Sequence, residues 1–362
     1  MRTISLCMIV KDEEELLEGC LESIHNICDE IIIMDTGSTD RTKEIAQQFT
    51  NKIYDFEWID DFSAARNAAF EKATKDYILW LDADDILAEE DQKKLIELKE
   101  ELDGSQNAVS MLYRTAFDEF GEPAFQFRRH RIVKRSCQFK WHGAVHEYLE
   151  VNGPIIESDI SITHRKHEKT ERYMNSRRNL EIYEGKLERK EKLSARDMFY
   201  YANELKDHNE YKRAIIQYHL FLASNKGWIE DEIRACFYMA DCYSRLGNTK
   251  KELESLSMTM QFDLPRPEAS CRLGDYQMKM QNFDKAVVWY KLALERMVKG
   301  GQGFTHISYE TWYPHLQLCV CYYNLGQLDL AIEHNQQAKK YRPEAESIKN
   351  NEEFFKMHLN EQ

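Results

Sequence analysis

Short apolar runs alternate with amphipathic segments along the first hundred residues. The apolar runs are Ile4–Val10, Ile31–Met34, Ile53–Phe56 and Tyr77–Leu81. A segment with helical spacing of apolar positions follows each run, near Glu13–Ile24, Asp40–Phe49, Phe62–Thr74 and Glu89–Leu102. Nearly unbroken apolar strands separated by amphipathic helices are typical of a parallel sheet covered on both faces. The pattern therefore predicts an α/β domain with a Rossmann-like sheet.

The pattern becomes shorter and strand-like between residues 107 and 163. Extended segments are predicted at Val109–Phe117, Phe125–Val133, Phe139–Leu149 and Ile155–Ile162. They suggest a mixed extension of the sheet and contain a basic stretch at residues 128–140. Beyond His164 the chain reads as helical, with a second region rich in Lys, Arg and Glu.

The C-terminal part is repetitive. Each of four units has two pattern positions twelve residues apart, and small residues occupy nearly all of them. The first positions are Ala202, Ala240, Gly274 and Cys319, and the second positions are Ala214, Glu252, Ala286 and Ala331. Unit starts near residues 195, 233, 267 and 312 give a period close to the roughly 34 residues of tetratricopeptide repeats, which this region resembles. Glu252 departs from the pattern, and a generic helical bundle is the alternative. We expect a catalytic domain over residues 1–185, repeats over 186–345 and a helical tail over 346–362.

The charge of the chain is concentrated at one end. The 362 residues carry a formal net charge of −14, and the first hundred hold 11 basic against 25 acidic side chains, whereas the remainder is balanced. Lys and Arg are outnumbered by Asp and Glu, 49 to 63, which argues against nucleic-acid binding. No apolar run is long enough to span a membrane. The acidic turn after the first strand argues against a signal peptide, and nine cysteines without a CxxC pair suggest reduced thiols. A bacterial cytoplasmic protein is expected.

The acidic residues gather directly after the predicted strands. Parallel strands present their carboxyl ends at one edge of a sheet, where α/β proteins bind ligands. Asp82 and Asp84 follow the fourth run, and two carboxylates at this spacing can hold a hard divalent cation such as Mg²⁺ or Mn²⁺. The alternative is a polar strand end followed by a helix cap.

Three sequence elements in order resemble the family 2 glycosyltransferases: the segment 9–14 (IVKDEE), the segment 32–40 (IIMDTGSTD), and Ala65-Arg66-Asn67 followed by YILWLDADD at 77–85. The resemblance implies a glycosyltransferase-A-type fold that binds a nucleotide sugar. It implies that Asp35 contacts the base, Asp82 the ribose and Asp84 the metal, with Asp85 near the sugar as a catalytic residue. The implied donor site also includes Ile9, Lys11, Glu13, Arg66 and Ala83.

A second set of residues is similar to family 2 enzymes with a trailing tetratricopeptide array, including the S-glycosyltransferases that modify bacteriocin peptides. These residues are Trp141–Glu147 (WHGAVHE), His164 and Arg177-Arg178-Asn179. His164 is expected as a metal ligand, His142 and His146 as acceptor-pocket residues, and Arg177 and Arg178 as diphosphate contacts. Lys11-Asp12 replaces the usual Tyr-Asn, and the usual Glu-Asp pair that supplies the base is not evident.

Glu147 is therefore our candidate for the catalytic base, because it lies in the dense polar element after the aspartates. The alternative is a strand-end glutamate paired with an arginine. Arg66 could reach a phosphate or tie down acidic loops instead. A solvated helix face would equally explain Arg177 and Arg178, and each histidine could be structural.

The predicted function is metal-dependent, inverting transfer of a hexose or N-acetylhexosamine from a UDP-sugar to a peptide, protein or saccharide acceptor. The repeats are expected to bind a polypeptide acceptor or a second copy of the chain. Two alternatives stay open. One is a nucleotidyltransferase, although residues 9–14 lack the glycine of a phosphate loop. The other is a non-catalytic repeat scaffold with a vestigial nucleotide-binding domain.

Overall fold

The computed structural model describes residues 2–117, 123–165, 177–295 and 305–360. The chain divides into two compact units, Met1–Glu191 and Lys192–Gln362. Within the described ranges, no helix has both the length and the apolar character needed to cross a lipid bilayer. Part of the second basic region, residues 166–176, lies outside the described residues.

The first unit is built on a mixed sheet of eight strands. In chain order they are β1 (Ile4–Val10), β2 (Glu30–Asp35), β3 (Ile53–Asp55), β4 (Tyr77–Trp80), β5 (Asp85–Ile86), β6 (Ala108–Phe117), β7 (Pro123–Lys134) and, after a hairpin outside this sheet, β10 (Ile155–His164). The spatial order is β3-β2-β1-β4-β7-β6-β10-β5. The strands β3, β2, β1 and β4 are parallel, whereas β7 is antiparallel to β4 and β6.

An apolar layer covers each face of the sheet, so the central strands are buried on both sides. The helices α1 (Leu17–Glu22), α2 (Thr42–Gln47) and α4 (Glu89–Glu101) pack on one face, against alternate residues such as Leu6 and Ile33. The other face carries α3 (Phe62–Lys72) and the hairpin β8 (Trp141–His142) and β9 (Tyr148–Leu149). The helix α5 (Arg178–Glu188) closes this unit along the chain. The predicted α/β class is confirmed.

The predicted extended segment Phe139–Leu149 differs from the observed structure. It forms two short strands separated by a turn, in which Gly143 and His146 have positive φ angles of 97° and 51°. His142 therefore lies on a strand and His146 lies in the turn. A non-glycine residue in the left-handed region is uncommon and marks a constrained backbone, which strand-like spacing in the sequence does not reveal.

The second unit is helical throughout its described part, apart from the two-residue strand β11 (Thr305–His306). Its helices are α6 (Ala195–Asp207), α7 (Tyr211–Ala223), α8 (Ile229–Arg245), α9 (Thr249–Met258), α10 (Pro267–Lys279), α11 (Phe283–Glu295), the short α12 (Ile307–Glu310), α13 (Trp312–Asn324), α14 (Leu328–Tyr341) and α15 (Glu346–Asn360). They form four successive helix pairs, which begin at residues 195, 229, 267 and 312, against predicted unit starts near 195, 233, 267 and 312. The predicted small positions Ala202, Ala240 and Ala286 are fully buried between paired helices.

Candidate functional site

The strands β1, β2 and β4 bring three polar segments to one edge of the sheet. These strands are parallel, so Lys11, Asp35 and Asp82 all follow or end neighbouring strands on the same side. The loop after β1 is tied to the loop after β2: Asp12 N donates to Ser38 Oγ at 3.0 Å, and Glu13 N donates to Thr42 Oγ1 at 2.7 Å. The sheet therefore assembles one continuous polar rim.

Asp35 ends β2 as a fully buried carboxylate. Its Oδ1 accepts hydrogen bonds from the backbone N–H groups of Gly37 and Ser38 at 3.0 and 2.9 Å. Gly37 has φ = 104°, a conformation that glycine adopts at little cost and that lets the loop turn back over the carboxylate. The other oxygen, Oδ2, is buried without a hydrogen-bond partner among the described residues. An unpaired buried acceptor is costly, so this atom is ready to receive one donor from a ligand.

The Asp82–Asp85 segment forms a tight turn between β4 and β5. Asp85 N donates to Asp82 O at 3.1 Å, and Asp82 N donates to Asp85 Oδ2 at 2.9 Å. The short strand β5 then pairs with β10, which places Asp85 opposite His164. Arg165 N donates to Asp84 O at 2.8 Å, so β10 also holds the middle of the turn.

Asp84, Asp85 and His164 converge on one point. Each offers a ligand atom, and these atoms lie within 4.8 Å of one another. Asp84 Oδ2 is 3.4 Å from His164 Nδ1, and Tyr113 Oη is 3.3 Å from the same nitrogen. The hydrogen bond with Asp84 raises the pKa of His164, against the opposing effect of burial. Two carboxylates and an imidazole are ligands that Mn²⁺ and Mg²⁺ accept, and the buried Oδ1 of Asp85 has no partner among the described residues. The donor set therefore fits a divalent cation.

Arg66 connects the aspartate turn to the element that contains Glu147. The side chain of Asp61 caps α3 by accepting from Ala64 N at 3.0 Å, and the alanine-rich helix carries Arg66 inward. The guanidinium donates to Asp82 Oδ1 at 2.7 Å and to Glu147 Oε1 at 2.5 Å. It lies between two indole rings, 5.0 Å from the Trp80 centroid and 4.9 Å from the Trp141 centroid.

The neighbouring Asn67 fastens the β8 strand to α3. Its side-chain amide donates to Trp141 O at 3.0 Å, and its oxygen accepts from Trp141 N at 2.9 Å. Phe62 N also donates to Ala144 O at 2.9 Å, so the first turn of α3 holds the turn between β8 and β9. Helix α3 thus fixes both the aspartate turn and Glu147.

Two arginines offset part of the negative charge of this region. Burial alone would raise the pKa of Asp82, but the charges of Arg66 and Arg131 and the Arg66 hydrogen bond hold it well below its usual range. Burial raises the pKa of Asp85, and Arg131 cancels only part of that effect. Arg66 pairs with Asp82 and Glu147, and Arg131 pairs with Asp85, whereas Asp84 lies beside His164. A divalent cation would add positive charge beside Asp84.

The remaining predicted site residues lie around this centre in different surroundings. Ile9 is partly buried against the apolar layer under α3, Ala83 is buried in the aspartate turn, and Lys11 is exposed at the rim. His142 Nε2 lies 3.0 Å from Glu150 on the exposed side of the hairpin. Arg177 precedes α5, and the Arg178 guanidinium lies 4.9 Å from the Phe62 ring centroid.

Sequence reasoning missed Arg131, Asn67 and the two tryptophans. Arg131 is completely buried and pairs with Asp85 at 2.8 Å. The available signal was a run of arginines within an otherwise apolar strand, which the sequence analysis treated only as a basic stretch. Asn67 belongs to the Ala65-Arg66-Asn67 motif, but nothing in the sequence indicates that its amide binds β8.

Comparisons with known proteins find similarities in both units of the chain. Residues 5–154 match the family model described as glycosyl transferase family 2, and residues 267–296 match a tetratricopeptide repeat. The first unit is thus similar to family 2 glycosyltransferase domains, and a segment of the second unit is similar to a tetratricopeptide repeat.

Curated relatives match about half of the chain or less. A TPR repeat-containing protein of Synechococcus elongatus is 52% identical over 150 residues, which cover 41% of this chain and 36% of that protein. The SPbeta prophage-derived glycosyltransferase SunS of Bacillus subtilis is 28% identical over 211 residues, 56% of this chain and 49% of SunS. The chain thus spans about a third to a half of the length of these relatives. The crystal structure of S. aureus TarS 1–349 aligns with 69% of this chain and 89% of its own, with 13% identity and a TM-score of 0.35.

Proposed function

We propose that the protein is a metal-dependent, inverting glycosyltransferase that moves a hexose or N-acetylhexosamine from a UDP-sugar to a peptide or protein acceptor. The observation that carries this proposal is the buried Oδ2 of Asp35, which has no partner among the described residues and lies on the same sheet edge as the Asp84–Asp85–His164 cluster. One end of the rim offers a single acceptor for a base, and the other offers oxygen and nitrogen ligands for the cation of a diphosphate. This combination matches the two ends of a nucleoside diphosphate.

Asp35 favours the N3–H edge of uracil over the corresponding edges of guanine and cytosine. Its Oδ1 is already used by two backbone donors, so the carboxylate offers one free acceptor. Uracil presents one N3–H donor between two carbonyls. Guanine presents two adjacent donors, and cytosine presents an acceptor at N3, which the carboxylate would repel. We assign the ribose to Asp82, whose second oxygen is not engaged by Arg66, and the surrounding donor contacts to Ile9, Lys11, Glu13 and Ala83.

Asp84 and His164 would hold the cation, with Asp85 beside them. When bound, Mg²⁺ or Mn²⁺ supplies positive charge that stabilises the departing diphosphate. Arg177 and Arg178 are proposed as further diphosphate contacts, because guanidiniums form paired hydrogen bonds with phosphate oxygens.

Glu147 is proposed to remove the acceptor proton. Arg66 occupies Oε1, and no contact engages Oε2 within the described residues, so Oε2 is the atom that would take the proton from a hydroxyl or thiol. The acceptor oxygen or sulfur then forms a bond to the anomeric carbon while the bond from that carbon to the diphosphate oxygen breaks, which inverts the configuration and releases UDP. Arg66 keeps this base at a fixed position relative to Asp82, and His142 and His146 are proposed to line the acceptor pocket.

The repeats are proposed to bind the polypeptide acceptor. Stacked helix pairs provide an extended surface, and peptide segments bind such surfaces in other repeat proteins. A second copy of the chain is the alternative occupant, and a saccharide is the alternative acceptor.

The deciding experiment measures UDP binding and sugar turnover on the full chain. We expect calorimetry to show UDP binding in the presence of Mn²⁺, and a panel of UDP-sugars to identify one that the protein hydrolyses slowly without acceptor. Asp84→Ala should remove both, whereas Asp159→Ala, at an exposed carboxylate paired with Lys94, should leave both unchanged. Absence of UDP binding would favour a repeat scaffold, and nucleotide transfer without sugar transfer would favour a nucleotidyltransferase.

A further inference from the structure

A β-bulge in β7 places Arg131 beneath the candidate cation site. In the pairing of β6 with β7, Val109 lies opposite Ile132 and the next residue, Ser110, lies opposite His130. Arg131 is therefore the extra residue of β7, without a partner in the ladder. Bulges redirect a side chain and are frequent beside active sites. A side chain of β4 holds the bulge in place, because Trp80 Nε1 donates to His130 O at 2.7 Å.

The Arg131 side chain is completely buried and forms one ion pair within the described ranges, with Asp85. Its Nη1 donates to Asp85 Oδ2 at 2.8 Å and to Trp80 O at 3.3 Å. The guanidinium stacks on the Trp80 ring at 4.0 Å and on the Tyr113 ring at 4.4 Å. Its Nε and Nη2 have no hydrogen-bond partner among the described residues. A buried arginine that leaves two nitrogens unpaired is expensive, so stability alone does not explain it.

The contact determines which atom of Asp85 remains available. Asp85 Oδ2 accepts from both Arg131 Nη1 and Asp82 N, whereas Oδ1 is buried and has no partner in the described part of the chain. Asp85 is also one of the three residues whose ligand atoms lie within 4.8 Å of one another. With Oδ2 engaged by two donors, Oδ1 is the atom left for a cation beside Asp84 and His164.

We propose that Arg131 is a positioning residue of the cation site. It holds Asp85 Oδ2, so that Oδ1 completes the ligand set of the cation. Its stacking on Tyr113 also supports the phenol that contacts His164. The inference rests on the cation site of the proposed function but not on the identity of the sugar or the acceptor. Partners that orient metal ligands typically change metal affinity by about 10–100-fold when they are removed.

The test measures Mn²⁺ binding to the full chain without nucleotide, by the loss of the electron paramagnetic resonance signal of free Mn²⁺. Arg131→Met should weaken Mn²⁺ binding about 10–100-fold, and Arg131→Lys should recover part of the loss because an ammonium can still reach Asp85. Arg129→Met is the matched control. Arg129 also stacks on Trp80 and Tyr113, at 5.6 and 5.1 Å, but has no carboxylate partner among the described residues, so its variant should stay within about twofold.

A simple charge effect predicts the opposite sign. If Arg131 acted only as a nearby positive charge, its removal would reduce repulsion and Mn²⁺ would bind Arg131→Met more tightly. Unchanged or tighter binding would overturn the proposal. A double-mutant cycle gives a second check, because Arg131→Met combined with Asp85→Asn should bind Mn²⁺ no more weakly than Asp85→Asn alone. Additive losses would show that Arg131 does not act through Asp85.

Folding is monitored separately so that every outcome is informative. Circular dichroism and the thermal midpoint identify the folded fraction. If Arg131→Met does not fold, Arg131→Lys and Asp85→Asn carry the comparison, and equal Mn²⁺ affinity of Arg131→Lys and the wild type would count against the proposal. A wild-type protein that binds no Mn²⁺ would also overturn it. Mn²⁺ binding without turnover of any UDP-sugar would instead count against the proposed function and leave the positioning role standing.

Discussion

At the scale of single residues, the most informative atoms are buried polar atoms without a partner. Asp35 Oδ2 and Asp85 Oδ1 belong to fully buried carboxylates whose other oxygen is engaged. Native proteins rarely leave such atoms unpaired, and those that remain unpaired call for a ligand or an ion. Asp35 ends β2 and Asp85 begins β5 after the turn that follows β4, and the proposed donor would bind at this edge of the sheet.

Asp35→Asn tests the base contact. In this variant the side-chain NH2 group takes the place of Oδ2, so a donor faces the N3–H donor of uracil. We expect UDP to bind roughly 10–100-fold more weakly, which corresponds to the loss of a hydrogen bond to a charged group. Calorimetry with UDP and Mn²⁺ measures the change. Asp55→Asn is the control, because Asp55 lies opposite Asp35 at the same end of β3 but is exposed. Equal losses in the two variants would contradict a specific role for Asp35.

Glu30 supplies a pH-dependent part of the stability, at the opposite end of β2. Burial alone would raise its pKa, but hydrogen bonds from Lys52, Ser5 and Thr74 outweigh this and lower the pKa from 4.5 to about 2. A depressed carboxylate pKa stabilises the folded state above the unfolded-state value and loses this effect as the pH falls through the folded-state value.

Glu30→Gln should therefore destabilise the protein by about 2–4 kcal/mol at pH 7, and the difference should shrink between pH 4.5 and pH 2. Urea unfolding at several pH values measures it. A difference that stays constant down to pH 2 would show that the loss comes from packing rather than from the charge.

At the scale of elements, helix α3 links the two halves of the candidate site. Arg66 binds both Asp82 and Glu147, and Asn67 binds the backbone of β8 in both directions. The strand that carries the aspartate turn and the hairpin next to Glu147 are thus held by two consecutive residues of one helix.

Asn67→Ala should loosen the link between β8 and α3 without removing any residue proposed to contact the UDP-sugar. Loss of both hydrogen bonds to Trp141 would let β8 and Glu147 shift, and a displacement of about 1 Å can reduce kcat about 100-fold. UDP affinity should change by less than about threefold, because Asp35 and Asp84 stay in place. Steady-state kinetics and calorimetry separate the two quantities. A parallel loss of UDP affinity would indicate that Asn67 supports the whole domain instead.

Close helix packing in the repeat unit depends on Gly274. A Cβ atom at this position would lie 2.8 Å from the Tyr290 ring, whose hydroxyl donates to Asp275 at 2.6 Å. Gly274→Ala should therefore lower the unfolding free energy by about 1–3 kcal/mol through overpacking, despite the better helix propensity of alanine.

Calorimetric unfolding measures this effect. Gly185→Ala is the control, because its Cβ would meet only the flexible end of Arg189, at 3.2 Å, and should stabilise α5 slightly. If Gly274→Ala also stabilises the protein, the ring can move and the proposed packing constraint is wrong.

At the scale of the whole molecule, the charge distribution has a chemical consequence. The acidic excess lies in the first hundred residues, and part of it forms the carboxylate cluster of the sheet edge. A diphosphate would be repelled by this cluster unless a cation were present.

Removal of divalent cations should therefore weaken UDP binding at least about tenfold, whereas uridine binding should be unaffected because the nucleoside carries no charge. Calorimetry in the presence of a chelator, followed by addition of Mn²⁺, measures both. Weaker binding of uridine as well would place the cation near the base or show that it supports the fold.

The sequence by itself determined the architecture and the identity of the polar segments. The apolar runs predicted β1 to β4 within one or two residues, and the small-residue spacing predicted the helix pairs, because local periodicity reports directly which face of an element is buried. The motif residues also predicted that Asp84 and His164 would meet, on the strength of resemblance to a family.

Only the tertiary structure decided how those residues are held. The bulge at Arg131, the turn at His146 and the Arg66 bridge between Asp82 and Glu147 join positions up to 81 residues apart in the chain. Such contacts depend on sheet order and register, which place distant strands side by side. Local periodicity does not report such contacts, because it shows which face of an element is buried and not which distant strand lies beside it.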